Sequence, residues 1–368
     1  MTSGRIAING TVSHSRTDGM TTFTRELIEG LLRLDQTRRW MVFSNCQKVC
    51  GLDPGRVVRV SPSTSPERGF AGHASRIAWQ QVGLLGRLRE RGVGLLYSTA
   101  PEGILRPGRL AQVVTIHDTL PLRFPQFFPR MKYYYRHVLP ILLRACAAVV
   151  CVSEATRRDV LNRFAVREER VHVVHEGVRH DLFRPTSAAR PGRYLLYLGS
   201  TRPHKNVERA LEAYAMLGRD DLRFVLAGYA DPRFAPSIDH TIRKFDLTGR
   251  VDVLGHVPAE RLPDLYAGAT AFVFPTLHEG FGLPPLEAMA CGCPVAASDV
   301  PAVREVCGDA PLYFDPLRPE SIADAIRRLI EDQTVRQAAS ERGLARSRRF
   351  SWDRTARETA AILEGLAR

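Results

Sequence analysis

Two glutamates, Glu279 and Glu287, stand eight positions apart in the stretch HEGFGLPPLEAMACGCPV, residues 278–295. Between them lie two glycines and two prolines. Carboxylates accept hydrogen bonds, and their natural ligand partners are hydroxyls. Gly280 and Gly282 let backbone approach a ligand closely. Pro284 and Pro285 suit the first turn of a helix, where no amide donor is needed. The amides from Gly280 to Leu283 then point at an anion. A ligand offering phosphates to the amides and hydroxyls to both carboxylates is a nucleoside diphosphate sugar. A second HEG string, His175-Glu176-Gly177, has Arg184 eight positions on. No glycine-proline loop or helix start follows it, so Glu176 reads as an ordinary strand-end residue.

Three other points carry chemistry. In YLGSTRPHKNVERALEAY a buried strand ends at Gly199, and Arg202, His204 and Lys205 follow before a helix starts near Asn206. Cations there can clamp a phosphate that also sees the helix N-terminus; a solvated basic turn is the plainer alternative. In VVTIHDTLP, His117 and Asp118 follow an apolar strand. A histidine so placed donates a hydrogen bond or moves a proton near neutral pH, or is simply structural. In NGTVSHSRTDGMTTFTREL, Gly19 precedes a helix whose N-terminus, near Thr21 to Thr24, can face an anion. An ordinary helix cap explains that spacing as well. The G-x-G-x-x-G dinucleotide fingerprint is missing.

These points sit where strands end. Strand candidates in the first half are RIAIN, WMVFSN, VVRVS, VGLLYS, AQVVTI, AAVVCV and VHVVH. In the second half they are YLLYLG, RFVLAG, VDVLG, AFVFPT, PVAAS and PLYF. Helical patterns separate many of them, including 21–34, 75–91, 130–146 and 154–164. Continuous apolar strands alternating with helices imply parallel sheets covered on both faces, an α/β class. In such sheets ligands bind beyond the carboxyl ends of the strands. Residues 179–193, polar and Pro-containing, read as a linker. The expected domains are 1–184 and 192–350, followed by a helix over 351–368.

The 368 residues include 52 Lys and Arg against 39 Asp and Glu, a formal net charge of +13. That field attracts anions: nucleotides, nucleic acid or an acidic membrane surface. The charge is dispersed arginine without a basic block or recognition motif, which argues against nucleic acid. The seven cysteines show no paired C-x-x-C spacing and fit structural thiols of a reduced cytoplasmic protein. The longest apolar run is broken by Pro140 and Arg144 and is too short to span a bilayer. FPQFFPRMKYYYRHVLP mixes aromatic and basic residues; it is either a packed helix with a solvated face or a peripheral contact with anionic membrane.

The spacing of Glu279 and Glu287 within GFGLPPLEAMACGCPV resembles the E-x7-E motif of family 4 retaining glycosyltransferases. GSTRPHKN resembles the family's phosphate-clamping segment. LGHVPAERLPDLYAGA, with His256 and Val257, resembles its segment beside the nucleotide base, and CVSEATRRDV its strand-to-helix turn. TIHDTLPLRFPQFF is similar to members assigned as mannosyltransferases. The resemblance implies a GT-B fold, two doubly wound Rossmann-like domains facing each other across a crevice, with the C-terminal helix packing back toward the N-terminal domain. It implies transfer of a hexose, mannose favoured, from a nucleoside diphosphate sugar to a hydroxyl of a saccharide, lipid-linked or small natural-product acceptor. It further implies retention at the anomeric carbon by front-side attack.

By the same resemblance, Glu279 holds sugar hydroxyls and Glu287 the ribose hydroxyls. Gly280, Phe281, Gly282 and Leu283 offer backbone to the diphosphate or sugar. Lys205 binds the diphosphate, His117 lies near the anomeric carbon and acceptor, and Gly19 lets the first loop approach the phosphates. Many members carry an arginine directly after the strand-end glycine, Gly199 here. This chain has Ser200, with Arg202 as the substitute. Lys205, Arg202 and helix amides would neutralise the leaving diphosphate, so no cofactor or divalent metal is expected; the sequence has no D-x-D pair. Competing readings are a UDP-sugar donor, a nucleotide-sugar epimerase or hydrolase, a dinucleotide-dependent dehydrogenase, and a silent binding module.

Overall fold

The structure is a computed structural model that describes residues 4–13, 18–35, 40–45, 54–186, 192–229 and 231–367. Part of the first loop (14–17), Cys46, Cys50 and residues 187–191 of the expected linker lie outside the described residues.

The chain forms two compact units, 1–177 with 352–368, and 178–351. Unit 1 holds strands β1 (Arg5–Asn9), β2 (Trp40–Ser44), β3 (Val57–Arg59), β4 (Val93–Ser98), β5 (Ala111–Ile116), β6 (Ala148–Cys151) and β7 (Val171–Val173). They form one sheet in the order β3-β2-β1-β4-β5-β6-β7, with every pairing parallel. Residues such as Ile6, Ile8, Val113, Val114 and Val149 are sealed from solvent. Both faces are therefore buried, which is why these strands read as unbroken apolar runs.

Unit 2 holds β8 (Tyr194–Leu198), β9 (Arg223–Ala227), β10 (Val251–Gly255), β11 (Ala271–Phe274), β12 (Val295–Ser298) and β13 (Leu312–Phe314). Their order is β10-β9-β8-β11-β12-β13, again all parallel. Each sheet reverses its winding direction once, between β1 and β4 in unit 1 and between β8 and β11 in unit 2. Such switch points open a crevice at the carboxyl ends of the two strands.

The unit boundary falls at Gly177, earlier than the expected 184. Residues just after it are fastened into unit 2. Val178 bridges Ser351, the His180 ring donates to the Phe350 carbonyl at 3.0 Å, and Phe183 packs edge-on against Tyr266. Polar composition suggested a linker, but these pairings make most of 178–186 part of the domain. The Trp352–Leu366 helix packs on the Gly19–Leu34 helix within unit 1. There a Cβ added at Gly30 would lie 2.7 Å from the Ala356 Cβ, so the close approach needs a glycine.

The aromatic-basic stretch forms a helical run from Met131 to Arg144 with a π turn at Tyr134–Val138. Pro140 cannot donate to the Arg136 carbonyl and its ring would crowd it; the wider turn absorbs that conflict. Tyr134, Tyr135, Leu139, Leu142 and Leu143 are buried, while Tyr133, Arg136, His137, Ile141 and Arg144 share an exposed stripe. Among the described residues, no helix is long and apolar enough to cross a membrane.

Cys146, Cys151, Cys291, Cys293 and Cys307 are reduced and buried. Burial pushes the Cys146, Cys291 and Cys307 thiols up to about 12, so they pack as small hydrophobes.

Candidate active site

In unit 2 the turn after β8 meets the loop after β11 at the switch point. Pro203–Lys205 is a single 3-10 turn, and Asn206 follows at φ 61°. Asparagine tolerates that left-handed conformation. Its side-chain amide donates to the carbonyls of Pro275 (2.9 Å) and Pro316 (2.8 Å), tying the loops after β11 and β13 to the turn. The His204 carbonyl accepts from the Leu277 amide at 2.8 Å and lies 3.2 Å from the Thr276 hydroxyl. The His204 ring is buried and its pKa is pushed down to about 2, first by burial and then by Lys205, Arg202 and His278. It is neutral and adds no positive charge to the turn, unlike the cationic group the sequence suggested.

These ties bring Lys205 and Glu279 together. Lys205 Nζ lies 2.5 Å from Glu279 Oε1, with side chains only 17% and 12% exposed. The ammonium also sits 5.6 Å from the centre of the Phe274 ring. An ammonium has three donors. One goes to Glu279, and two remain for an anionic ligand. The second Glu279 oxygen retains capacity to accept from a hydroxyl. The pair thus offers donors and acceptors side by side, as a phosphate-linked sugar requires.

Arg202 precedes this turn. Its guanidinium Nε lies 3.6 Å from Asp231, a buried carboxylate held more closely by Arg233 at 2.6 Å. The Arg233 hydrogen bond chiefly holds the Asp231 carboxyl down at about 2. Arg202 therefore shares its counter-ion with a second arginine. At the end of β8, a Cβ on Gly199 would lie 2.6 Å from the Tyr197 hydroxyl. Across from it Gly228 has φ +113°, and a Cβ there would lie 2.2 Å from the Gly199 carbonyl oxygen. Only backbone fits between the ends of β8 and β9.

Gly280, Phe281 and Gly282 lead into the Leu283–Ala290 helix. Gly282 has φ 110°, which an L side chain rarely adopts. Pro284 and Pro285 remove two first-turn donors, so the donors near this N-terminus come from the loop and Leu283. Phe281 is anchored edge-on against Phe350. Glu287, one turn into the helix, accepts from the Tyr266 hydroxyl at 3.0 Å. Burial, and then Glu287, raise the Tyr266 pKa well above its ordinary value, so its hydroxyl stays a donor. Sequence reasoning missed Tyr266; the only signal was its place in the segment LGHVPAERLPDLYAGA. His256 and Val257 follow β10 at the sheet edge, His256 exposed and Val257 half-buried. They are three strands removed from β11.

In unit 1, His117 follows β5 and Thr99 follows β4. The His117 Nε2 donates to the Thr99 carbonyl at 2.8 Å, and Nδ1 lies 3.4 Å from Glu176 Oε1. Thr99 is fixed at the β1/β4 switch point, its amide on the Asn9 carbonyl and its hydroxyl 2.9 Å from Thr24 Oγ1. Phe23 packs edge-on against the His117 ring at 4.6 Å. Glu176 is buried beside His117 rather than an idle strand end. Burial opposes charging of His117, but the Glu176 hydrogen bond and charge, the Thr99 carbonyl and Asp118 outweigh it and raise the pKa.

The Gly19 helix is capped by Asp18, whose carboxylate accepts from the Thr21 amide at 2.8 Å. That is the ordinary cap. A Cβ on Gly19 itself would meet nothing within 4 Å. Among the described residues no group of three His, Cys, Asp or Glu side chains gathers as a metal site.

Comparison with known proteins fits this geometry. Residues 179–346 match the model described as "Glycosyl transferases group 1", and residues 17–182 match "Glycosyltransferase Family 4". The O-antigen chain mannosyltransferase B of Escherichia coli is 33% identical over 272 residues, covering 69% of this chain and 70% of that protein. The O-antigen chain mannosyltransferase RfbU of Salmonella typhimurium is 30% identical over 218 residues, covering 59% and 60%. Among solved structures, a sucrose-phosphate synthase from Thermosynechococcus elongatus superposes with TM-score 0.80 at 21% identity, covering 99% of each chain. HepE from Anabaena, solved with UDP and glucose, gives TM-score 0.77 at 19% identity, covering 98% of this chain and 100% of its own. Fold and site define a GT-B glycosyltransferase. The chain belongs to the family 4 (group 1) glycosyltransferases, and its activity is glycosyl transfer.

Proposed function

We propose that the protein transfers mannose from GDP-mannose, with retention, to a hydroxyl of a saccharide or lipid-linked saccharide. The observation that carries this reading is the Lys205–Glu279 pair at the switch point of the unit 2 sheet. Mannose is favoured because the relatives reported above are named mannosyltransferases.

In the reaction the bond between the anomeric carbon and the diphosphate oxygen breaks, and a bond to the acceptor oxygen forms on the same face. The acceptor proton passes to the departing phosphate. Charge grows on the diphosphate, and a fixed ammonium lowers the barrier because it needs no reorganisation. Lys205 supplies that charge, Arg202 adds to it, and this reading needs no metal ion. Glu279 orients the sugar through its hydroxyls, Glu287 holds the ribose, and the backbone from Gly280 to Leu283 lies along the diphosphate. His256 and Val257 complete the donor contacts in this reading.

The test is a panel of GDP- and UDP-sugars scored by thermal shift and then by transfer to saccharide acceptors. GDP-mannose should raise the melting temperature by mass action and yield glycosylated product. Selective stabilisation and transfer from a UDP-sugar would replace the donor. Release of free sugar or an epimer, with no acceptor product, would replace the reaction. The exposed stripe of Tyr133, Arg136, Ile141 and Arg144 supports peripheral contact with an anionic bilayer. Co-sedimentation with phosphatidylglycerol vesicles that vanishes in high salt is expected; equal binding to neutral vesicles would remove that reading.

A further inference from the structure

His117 has acceptors on both sides. Nε2 faces the Thr99 carbonyl, which can only accept, so Nε2 carries a proton. Nδ1 faces the Glu176 carboxylate at 3.4 Å, which is also an acceptor when ionised. A neutral ring satisfies only one of these contacts as a hydrogen bond, whereas a doubly protonated ring satisfies both. Glu176 is 5% exposed, and the ring is shielded by Phe23. The charged side chains acting on the ring are Glu176 and, more weakly, its neighbour Asp118.

We infer that Glu176 is a positioning residue for His117: its carboxylate and the Thr99 carbonyl hold the ring as an imidazolium, a fixed cation at the carboxyl end of β5. Neither ring nitrogen then has a lone pair. On the transferase reading above, on which the kinetic part of this inference rests, His117 acts as a fixed charge and not as the proton acceptor for the attacking hydroxyl. Activity therefore falls as pH rises through the His117 titration. The direction of its pKa agrees, because the charged form persists above the ordinary histidine value of 6.5.

The first arm is a histidine-ring NMR titration of the full chain without substrate. His117 should titrate above 6.5 in the wild type, at a lower pH in Glu176→Gln, and near the wild-type pH in Glu176→Asp. A wild-type ring that is neutral at pH 6.5, with one unprotonated nitrogen, overturns the inference whether or not the variants fold. The second arm is the pH profile of sugar transfer. In Glu176→Gln the alkaline limb should move to lower pH, with kcat at pH 8 down by about 10-fold or more as the ring loses its charge and aim. A shifted NMR titration with an unmoved alkaline limb overturns the role in transfer and leaves the transferase reading intact. A shifted titration in a protein that transfers no sugar supports the ring assignment and removes the transferase reading instead.

Discussion

Tyr266→Phe isolates one hydrogen bond at the donor site. The tyrosine ring is fully buried against Phe272 and Phe183, and phenylalanine keeps those contacts. What disappears is the 3.0 Å bond from the hydroxyl to Glu287 Oε2. A hydrogen bond to a charged group contributes about 1.5–3 kcal/mol net. Glu287 is half-buried, so water recovers part of the loss and about 1 kcal/mol remains. If Glu287 holds the ribose equally in ground and transition states, the loss appears as a rise of about 5-fold in donor KM, with kcat nearly unchanged. Steady-state transfer at varied donor concentration, on protein whose melting temperature stays within about 3 °C of wild type, measures this. An unchanged donor KM would refute the assignment of Glu287. So would a fall in kcat at constant KM, since it would place Tyr266 in the chemical step.

Lys205→Ala and Glu279→Ala should each lower kcat by about 100-fold or more while the fold persists, because each removes a group fixed against developing charge or the reacting sugar. Near-normal turnover by both folded variants would sink the site. Gly228→Ala forces a Cβ to 2.2 Å from the Gly199 carbonyl at φ +113°, so the ends of β8 and β9 must shift. Thermal unfolding should show a loss of about 2 kcal/mol or more, and an unchanged melting temperature would contradict the close approach. The Glu102 carboxyl is held at about 2: burial works to raise it, but Arg76 and then His73 outweigh burial. Its stabilisation is present above its ordinary 4.5 and is lost as pH falls from there toward 2. Urea unfolding across that window should be less pH-dependent in Glu102→Gln than in wild type; identical slopes would remove Glu102 as the cause.

Much of this was legible in the residues alone. The strands of both sheets announced themselves because burial on both faces demands apolar runs, and Pro284, Pro285 and Gly282 marked the start of the helix that carries Glu287. The contacts that define the site were not legible, because topology makes them. Lys205 and Glu279 lie 74 residues apart and meet only where β8 neighbours β11. His117 and Glu176 lie 59 apart, and no local spacing reveals their pairing. Glu176 looked idle because its string lacks a phosphate-binding loop, yet its partner stands at the end of another strand. His204 looked like one more cation until burial set its charge. The expected linker was judged by polarity, which cannot report the bridge from Val178 to Ser351.

On the proposed function, the Lys205–Glu279 pair receives the diphosphate and sugar of the donor. A crystal structure of the protein with GDP-mannose tests it most directly. Phosphate oxygens should lie within hydrogen-bond distance of Lys205 Nζ, with sugar hydroxyls on Glu279 and ribose hydroxyls on Glu287. A nucleotide bound elsewhere, with the Lys205–Glu279 pair untouched, would contradict it.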